Sequence, residues 1–350
     1  MPRMSRVSNL TELTKLTHLT RAAGRRAALA LTAGATAVVT ALATGGAAQA
    51  AGTYSLLVFP TQTHTAVYDF INTATKSIDV TIYELRDTTA VTDLVNKQKA
   101  GVKVRVILDN AHTSVNGSAY STLKAAGAGV VYSSTAFVYT HQKTLTVDGT
   151  KSLILTGNLD STYYADDRDY GVFDSDAADV AAIEAVFNAD YAKTTITPAD
   201  GDNLVWSPTD SQNRLLALIN GAQHSLDVEQ LEFGDTALVN AIVAAQKRGV
   251  AVRVVGMDPS SYQSQFKSVV TAGGKVVTYS STSGLYVHAK AIVADNGYST
   301  GKVFAGSENF SDNSLNHNRE LGLIISDSAV LSGVESTFAT DFAGGAVFTG

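Results

Sequence analysis

Residues 77–110 read SIDVTIYELRDTTAVTDLVNKQKAGVKVRVILDN, and residues 225–258 read SLDVEQLEFGDTALVNAIVAAQKRGVAVRVVGMD. At a fixed offset of 148, 15 of these 34 positions are identical. Pro60 and Pro208 keep the same offset, as do Ile71-Asn72 and Ile219-Asn220. A period this long marks a duplicated domain and not a solenoid. Within each copy a short alternating run (Ser77–Tyr83) precedes apolar residues at helical spacing, Val91, Leu94 and Val95, matched by Val239, Ile242 and Val243. Gly101 and Gly249 sit where a helix C-cap is expected. The β-branched runs Val102–Leu108 and Val250–Val255 read as buried strands. The alternation predicts an α/β fold in each copy, with a mixed, largely parallel sheet flanked by helices. The polar stretch TTITPADGDN, residues 194–203, is the expected boundary, giving a first domain at 51–197 and a second at 198–350.

Residues 1–50 read as an export signal. Arg21, Arg25 and Arg26 precede an Ala-rich apolar run from Ala27 to Leu42, and Ala48-Gln49-Ala50 is a small-residue cleavage pattern. The alternative reading of the run is a membrane anchor. No later segment is long and apolar enough to span a bilayer, so the mature chain is expected to be secreted. Removing the leader moves the formal charge from −6 to −11. An acidic chain of this kind is not expected to bind nucleic acid stably. There is no Cys, which excludes disulfides, thiolate catalysis and Cys-type zinc sites.

The chemistry-bearing residues lie in the second part of each copy. His141-Gln142-Lys143 is followed by Asp148, and His288-Ala289-Lys290 by Asp295. Both are H-x-K-x-x-x-x-D, at equivalent places in the repeat. Alternation along a strand places His and Lys on one face. Further on come Gly157-Asn158-Leu159-Asp160 with Asp167-Arg168-Asp169, and Gly306-Ser307-Glu308-Asn309 with Asn318-Arg319-Glu320. Two Lys can neutralise the non-bridging oxygens of a phosphodiester, and two His can divide the roles of nucleophile and proton donor. Such a site needs no metal and no other cofactor, because the lysines already supply the positive charge.

These paired motifs and the Gly-Ser-x-Asn element resemble the phospholipase D superfamily over about residues 54–345. The resemblance implies two α/β sandwich domains about a pseudo-twofold axis, with one active site between them. It implies His141 as the nucleophile, forming a phosphohistidine, and His288 as the acid that protonates the leaving alcohol and then activates water. Lys143 and Lys290 would hold phosphate, and Asn309, with Ser307 and Asn158, would contact substrate. Asp169 and Glu320 would each fix a His ring, while Asp148 and Asp295 would be structural supports. With Gly157 set against Gly306, Asn158 stands where the family often has Ser, and Asp160 where it has Asn. Either Asn158 takes over the donor role or the first half grips phosphate less well. The spacing from Gly157 to Asp169 is 12, against 14 from Gly306 to Glu320, so the halves need not contribute equally. Export favours a phospholipid substrate at a membrane surface, handled by a monomer that is expected to hydrolyse it to phosphatidic acid, with transfer to alcohols as a second outcome. A secreted nuclease is the alternative, and a non-catalytic binding module a third class. His112, His317, Tyr163, Tyr164 and Tyr286 are candidate rim residues with ordinary loop or packing readings beside them, and Trp206 reads as core.

Overall fold

The computed structural model describes residues 53–350; the expected leader, with Arg25-Arg26 and its site at Ala50, lies outside them. The first half runs β1 (Tyr54–Phe59), α1 (Thr65–Thr73), β2 (Ser77–Ile82), α2 (Thr88–Lys99), β3 (Lys103–Leu108), α3 (Thr113–Ala125), β4 (Gly129–Tyr132), β5 (Lys143–Val147), β6 (Lys151–Leu155), β7 (Asp167–Asp174) and α4 (Ala177–Ala192). The second half repeats this order. It runs β8 (Leu204–Ser207), α5 (Ser211–Gly221), β9 (Ser225–Gln230), α6 (Thr236–Lys247), β10 (Ala251–Met257), α7 (Gln263–Thr271), β11 (Lys275–Tyr279), β12 (Tyr286–Val287), β13 (Lys290–Ala294), β14 (Lys302–Gly306), α8 (Asp312–Asn316), β15 (Glu320–Ile325), α9 (Ser328–Gly344) and β16 (Ala346–Val347).

Two eight-stranded sheets result, ordered β1-β7-β6-β5-β2-β3-β4, with β12 added to β7, and β16-β11-β10-β9-β13-β14-β15-β8. Both are mixed, as expected, but the expectation of largely parallel pairing is corrected. Apart from the short β12–β7 contact, only β2-β3-β4 and β9-β10-β11 are parallel. The reason is connection length. Helical crossovers α2, α3, α6 and α7 return the chain to the same end, whereas short hairpins such as Asp148–Thr150 reverse it.

Alternation along β2 explains the layers. Ile78, Val80 and Ile82 face a core that also holds residues of α1, α2 and α3. Leu226 and Val228 of β9 do the same with α5, α6 and α7. A third core lies between the sheets. It joins Ile154, Tyr170 and Val172 with Trp206, Ala291 and Leu321, together with Ile183 of α4 and Val334 of α9. On this inner face Asp79 takes a two-pronged bond from Arg105 at 2.7 and 2.6 Å, and Asp227 takes one from Arg253 at 2.6 and 2.8 Å. Each guanidinium also lies over a ring of the inner helices, Phe187 at 4.7 Å and Phe338 at 5.0 Å. Two charges buried this way are tolerable because each is paired in a fixed fork geometry.

Helix starts follow the sequence. Asp87, Asp176, Asp235 and Asp327 cap α2, α4, α6 and α9 through their side chains. Gly101 and Gly249 end α2 and α6 at φ of 92° and 94°, a conformation that favours Gly.

Candidate active site

His141 and His288 each stand just before the edge of a sheet strand, and each is tied to the other half. The backbone N–H groups of His141 and Gln142 both donate to the Arg319 carbonyl at 2.9 Å, and His288 N–H donates to the Arg168 carbonyl at 3.1 Å. Side chains cross in the same way. Nδ1 of His141 lies 2.8 Å from Oε2 of Glu320, in the second half. Nδ1 of His288 lies 2.9 and 3.1 Å from the two oxygens of Asp169, in the first. Neither H-x-K histidine therefore finds its carboxylate in its own half. Asp169, although one methylene shorter than Glu, still presents both oxygens to its ring.

Each carboxylate has its own support. Ser314 Oγ donates to Glu320 Oε1 at 2.7 Å, and Asn318 Nδ2 donates to the same oxygen at 3.0 Å. The Ser314 hydroxyl accepts from Asn309 N–H at 2.8 Å, so its proton is directed at Glu320. Thr156 Oγ1 donates to Asp169 Oδ1 at 2.7 Å and accepts from Tyr170 N–H at 2.8 Å. Thr156, Ser314 and Asn318 were not singled out from sequence. Asn318 stands in the Asn318-Arg319-Glu320 element, with no role assigned there, and Thr156 carried a signal in its offset of 151 from Ser307, which matches that of Asp169 from Glu320.

Lys143 and Lys290 are both fully buried. Lys143 donates to the His141 carbonyl and stands 5.2 Å from the centre of the Tyr83 ring. Lys290 donates to the His288 carbonyl at 2.5 Å and to the Thr156 carbonyl at 3.2 Å, and its Nζ is 3.2 Å from Nε2 of His288. The charges feel one another. Burial, and then the Lys290 ammonium, lower Lys143 to about 7. Burial lowers His141 to about 4, opposed by Glu320 and reinforced by Lys143. Glu320 is held below its ordinary value: burial would raise it, but His141 and Lys143 outweigh that. The site thus sets an imidazole held neutral by burial beside a fixed carboxylate and two buried amines. The His141 side chain is 11% exposed and that of His288 only 2%, so His141 is the more accessible ring.

Strand register corrects the alignment of the two halves beyond β5 and β13. Leu159 bridges Leu85 where Phe310 bridges Phe233. Arg86 and Asp87 N–H donate to the Leu159 carbonyl, and Gly234 and Asp235 N–H donate to that of Phe310. Asn158 is therefore the counterpart of Asn309, Thr156 of Ser307, and Gly157 of Glu308. The loop closing β13–β14 is longer than that closing β5–β6, and this insertion shifts the offset. Asp160 does not occupy the Asn position. It accepts from Thr162 N–H at 3.1 Å and pairs with half-exposed Arg86 at 3.3 Å. Gly157 is required where it stands, because a Cβ there would lie 2.3 Å from Asp169 Oδ2. The two Asn residues follow β6 and β14 at equal distance from their carboxylates, and each has an Oδ1 that is buried without a partner.

Other expected residues fall as follows. Ser307, expected to meet substrate, is fully buried; its hydroxyl bonds the Leu321 backbone on both its N–H and C=O and also helps to lower Glu320, so it supports that carboxylate. Asp148 closes the far end of β5. Its carboxylate accepts from the backbone N–H groups of Thr75, Lys76 and Ser77, and these bonds bring it down to about 2 against the opposing effect of burial. Asp295 does the same for Gln223, His224 and Ser225. His317 is half-exposed and turned to Asp312 at 3.2 Å. Tyr164 bonds Asp87 at 2.7 Å, while Tyr286 packs in a small core with Leu231 and Met257. Trp206 is core.

One group of metal-ligand type occurs at the site: donor atoms of Asp167, Asp169 and His288 lie within 4.8 Å of one another. A cation there would compete with the Asp169–His288 bonds and be repelled by Lys290. A surface cavity of about 440 Å³ lies beside Asp295, Arg214 and Lys302, and none of the four His and Lys residues lines it.

Comparison with known proteins gives the same two-part pattern. The family described as "Cardiolipin synthase, PLD-like domain" matches residues 67–191 and again 215–342. A cardiolipin synthase of Clostridium perfringens (strain 13 / Type A) is 24% identical over 298 residues, covering 71% of this chain and 60% of that protein. A mitochondrial cardiolipin hydrolase of Xenopus tropicalis is 31% identical over 134 residues, covering 37% of this chain and 60% of that protein. The chain thus spans about 60% of the length of these curated relatives. Among solved structures, the phosphatidylserine synthase of Haemophilus influenzae Rd KW20 superposes with a TM-score of 0.68 at 15% identity, covering 85% of this chain and 87% of that one. That likeness establishes the fold.

Proposed function

Because the chain belongs to the phospholipase D superfamily and carries two copies of its PLD-like domain, we propose that it cleaves the distal phosphodiester of glycerophospholipids through a phosphohistidine on His141. Water as acceptor gives phosphatidic acid and the free head-group alcohol; a primary alcohol as acceptor gives a phosphatidyl-alcohol. The observation that carries this reading is the asymmetry in access of two otherwise matched histidines: the His141 side chain is 11% exposed and that of His288 only 2%.

The steps follow from the geometry. Glu320 accepts from Nδ1–H of His141, which leaves the lone pair on Nε2 to attack phosphorus. As the N–P bond forms, the P–O bond to the head group breaks, and the departing oxygen takes a proton from His288. Asp169 stabilises the protonated His288 ring. The Lys143 and Lys290 ammonium groups offset the charge on the non-bridging oxygens. A phosphodiester arriving between them supplies the anion that favours a charged Lys143. In the second step His288, now neutral, takes a proton from water or an alcohol, which attacks phosphorus and releases His141.

The relatives named for cardiolipin synthesis and cardiolipin hydrolysis support a phospholipid substrate and either acceptor. We further propose that the chain acts outside the cell as a monomer, in line with the export-type N-terminus. Among the described residues no helix is long and apolar enough to cross a membrane.

The test offers purified protein phosphatidylcholine, phosphatidylethanolamine, phosphatidylglycerol and plasmid DNA side by side, with and without ethanol. The expected products are phosphatidic acid and, with ethanol, phosphatidylethanol. Cleavage of DNA with all lipids untouched would replace the lipid reading by a nuclease.

A further inference from the structure

Another histidine–carboxylate pair adjoins His141, and the steps above do not use it. Asp109, buried just beyond β3, accepts through Oδ1 from Thr140 N–H at 2.6 Å, one residue before His141. Its Oδ2 is 3.0 Å from Nδ1 of His112. With Nδ1–H committed to Asp109, Nε2 of His112 accepts from the Tyr83 hydroxyl at 3.1 Å. The Tyr83 ring then meets the His141 imidazole edge-to-face, with centroids 4.6 Å apart at 71°.

The second half has nothing comparable. Ile82 pairs with Leu108, and Gln230 with Gly256, so the residues one step further on correspond. Tyr83 is matched by Leu231 and Asp109 by Met257, both in an apolar cluster. Beside His288 the ring of Tyr286 is stacked at 6.5 Å, not edge-on. The device exists only on the side of the ring assigned as nucleophile.

We propose that Tyr83, anchored by the His112–Asp109 pair, is a positioning residue for His141. Glu320 fixes one ring atom, and a single hydrogen bond leaves the imidazole free to tilt about it. The Tyr83 ring supplies the second point of contact and sets the plane in which the Nε2 lone pair lies. Attack on phosphorus needs that direction fixed, since a misplacement of about 1 Å can cost about 100-fold. The inference rests on the reading of His141 as the nucleophile.

The experiment uses the full chain carrying His288→Ala and an aryl phosphodiester, whose aryloxide leaves without a proton donor. Adduct is quantified against time by intact-mass analysis under alkaline handling. Its rate reports ring positioning, and its amplitude reports the folded fraction. Adding Tyr83→Leu, the second half's residue, should slow adduct formation by about 10- to 100-fold. Tyr83→Phe and His112→Leu keep the ring and remove its anchor, and should each slow it by a smaller factor. An unchanged rate in all three, whatever the amplitude, overturns the role of Tyr83 and leaves the covalent route standing. An adduct on His288 in the wild-type protein overturns both, because Tyr83 does not adjoin that ring.

Discussion

Replacing Glu320 by Gln should disable the protein far more than the matching change Asp169→Asn, and the hydrogen bonds say why. Glu320 Oε1 receives two donors, Ser314 Oγ and Asn318 Nδ2, and Oε2 faces Nδ1 of His141. Asn318 Oδ1 accepts from Tyr139 N–H, which keeps its Nδ2 on Glu320, and the Asn309 N–H bond to Ser314 Oγ favours the same aim for the Ser314 proton. A Gln side chain must therefore keep its carbonyl toward Ser314 and Asn318 and point its NH₂ at His141. That amide donates to Nδ1, which forces the ring proton onto Nε2 and removes the nucleophilic lone pair. The expected loss in kcat/KM is about 10⁴-fold, or about 5.5 kcal/mol, the scale for a catalytic histidine locked in the wrong tautomer.

Asp169→Asn differs in geometry. Thr156 donates to Oδ1, and Oδ1 is also the oxygen nearer His288. One carbonyl oxygen can accept from both, so the tautomer survives and only the charge is lost. A fall of about 100-fold is expected. The assay is initial-rate kinetics on a phospholipid substrate, with thermal midpoints to exclude unfolding. Adding Ser314→Ala and Asn318→Leu to the Glu320→Gln protein frees the amide to turn over, and should restore at least about tenfold. Equal losses in the two single variants, or no recovery in the triple, would refute the tautomer argument.

Further outcomes follow from the same geometry. kcat/KM should fall below about pH 4, as His141 takes a proton, and above about pH 7, as Lys143 loses one, so that pH 9 costs about 100-fold; Lys143→Arg, which stays charged, should move the alkaline limb upward, and an unmoved limb would assign it to another group. Asp160→Asn should leave kcat unchanged and stability within about 1 kcal/mol, because its ion partner Arg86 is half-exposed; a loss of phosphate affinity would return Asp160 to the site. Asp148→Asn should lower the thermal midpoint, by about 2 kcal/mol in stability, with little effect on kcat per folded molecule. Since Asp148 falls to about 2 when folded against 3.8, its contribution is present at neutral pH and disappears as pH drops through about 2, which acid unfolding of the two proteins would show by their converging curves. Incubation with EDTA followed by dialysis should leave the chemical step intact, and a loss reversed only by a divalent cation would give Asp167, Asp169 and His288 a metal.

The duplication and the mixed α/β pattern were readable because identity holds at a constant offset of 148 through β2, α2 and β3, and the two H-x-K motifs because they recur at 147, one residue from it. Glycines misled the reading further on. Gly157 and Gly306 look alike, yet one leaves room for the Asp169 carboxylate and the other pairs with Gly322 on β15. The offset changes inside the β13–β14 hairpin, and a length change in a loop leaves no periodicity to read. Parallel content was overestimated because buried β-branched runs occur in both kinds of ladder, and hairpin connections decide the direction. The roles of Ser314 and Asn318 were not legible for a different reason, although Asn318 stands in the Asn318-Arg319-Glu320 element. Their role depends on which atom of Glu320 they meet, and that is set by α8 and the turn into β15. His112 read as an ordinary loop histidine, since its two partners lie 3 and 29 residues away in the chain.

The exchange of carboxylates has a consequence for the history of the chain. After a duplication, one copy is ordinarily free to decay while the other keeps the function. Here a substitution at Glu320 strikes the histidine of the first copy, and one at Asp169 strikes that of the second. Selection on either copy is felt by both, so the pair is inherited as one unit. Neither could be deleted, or overwritten by its sibling with loss of the local register, without disarming a histidine it does not itself encode.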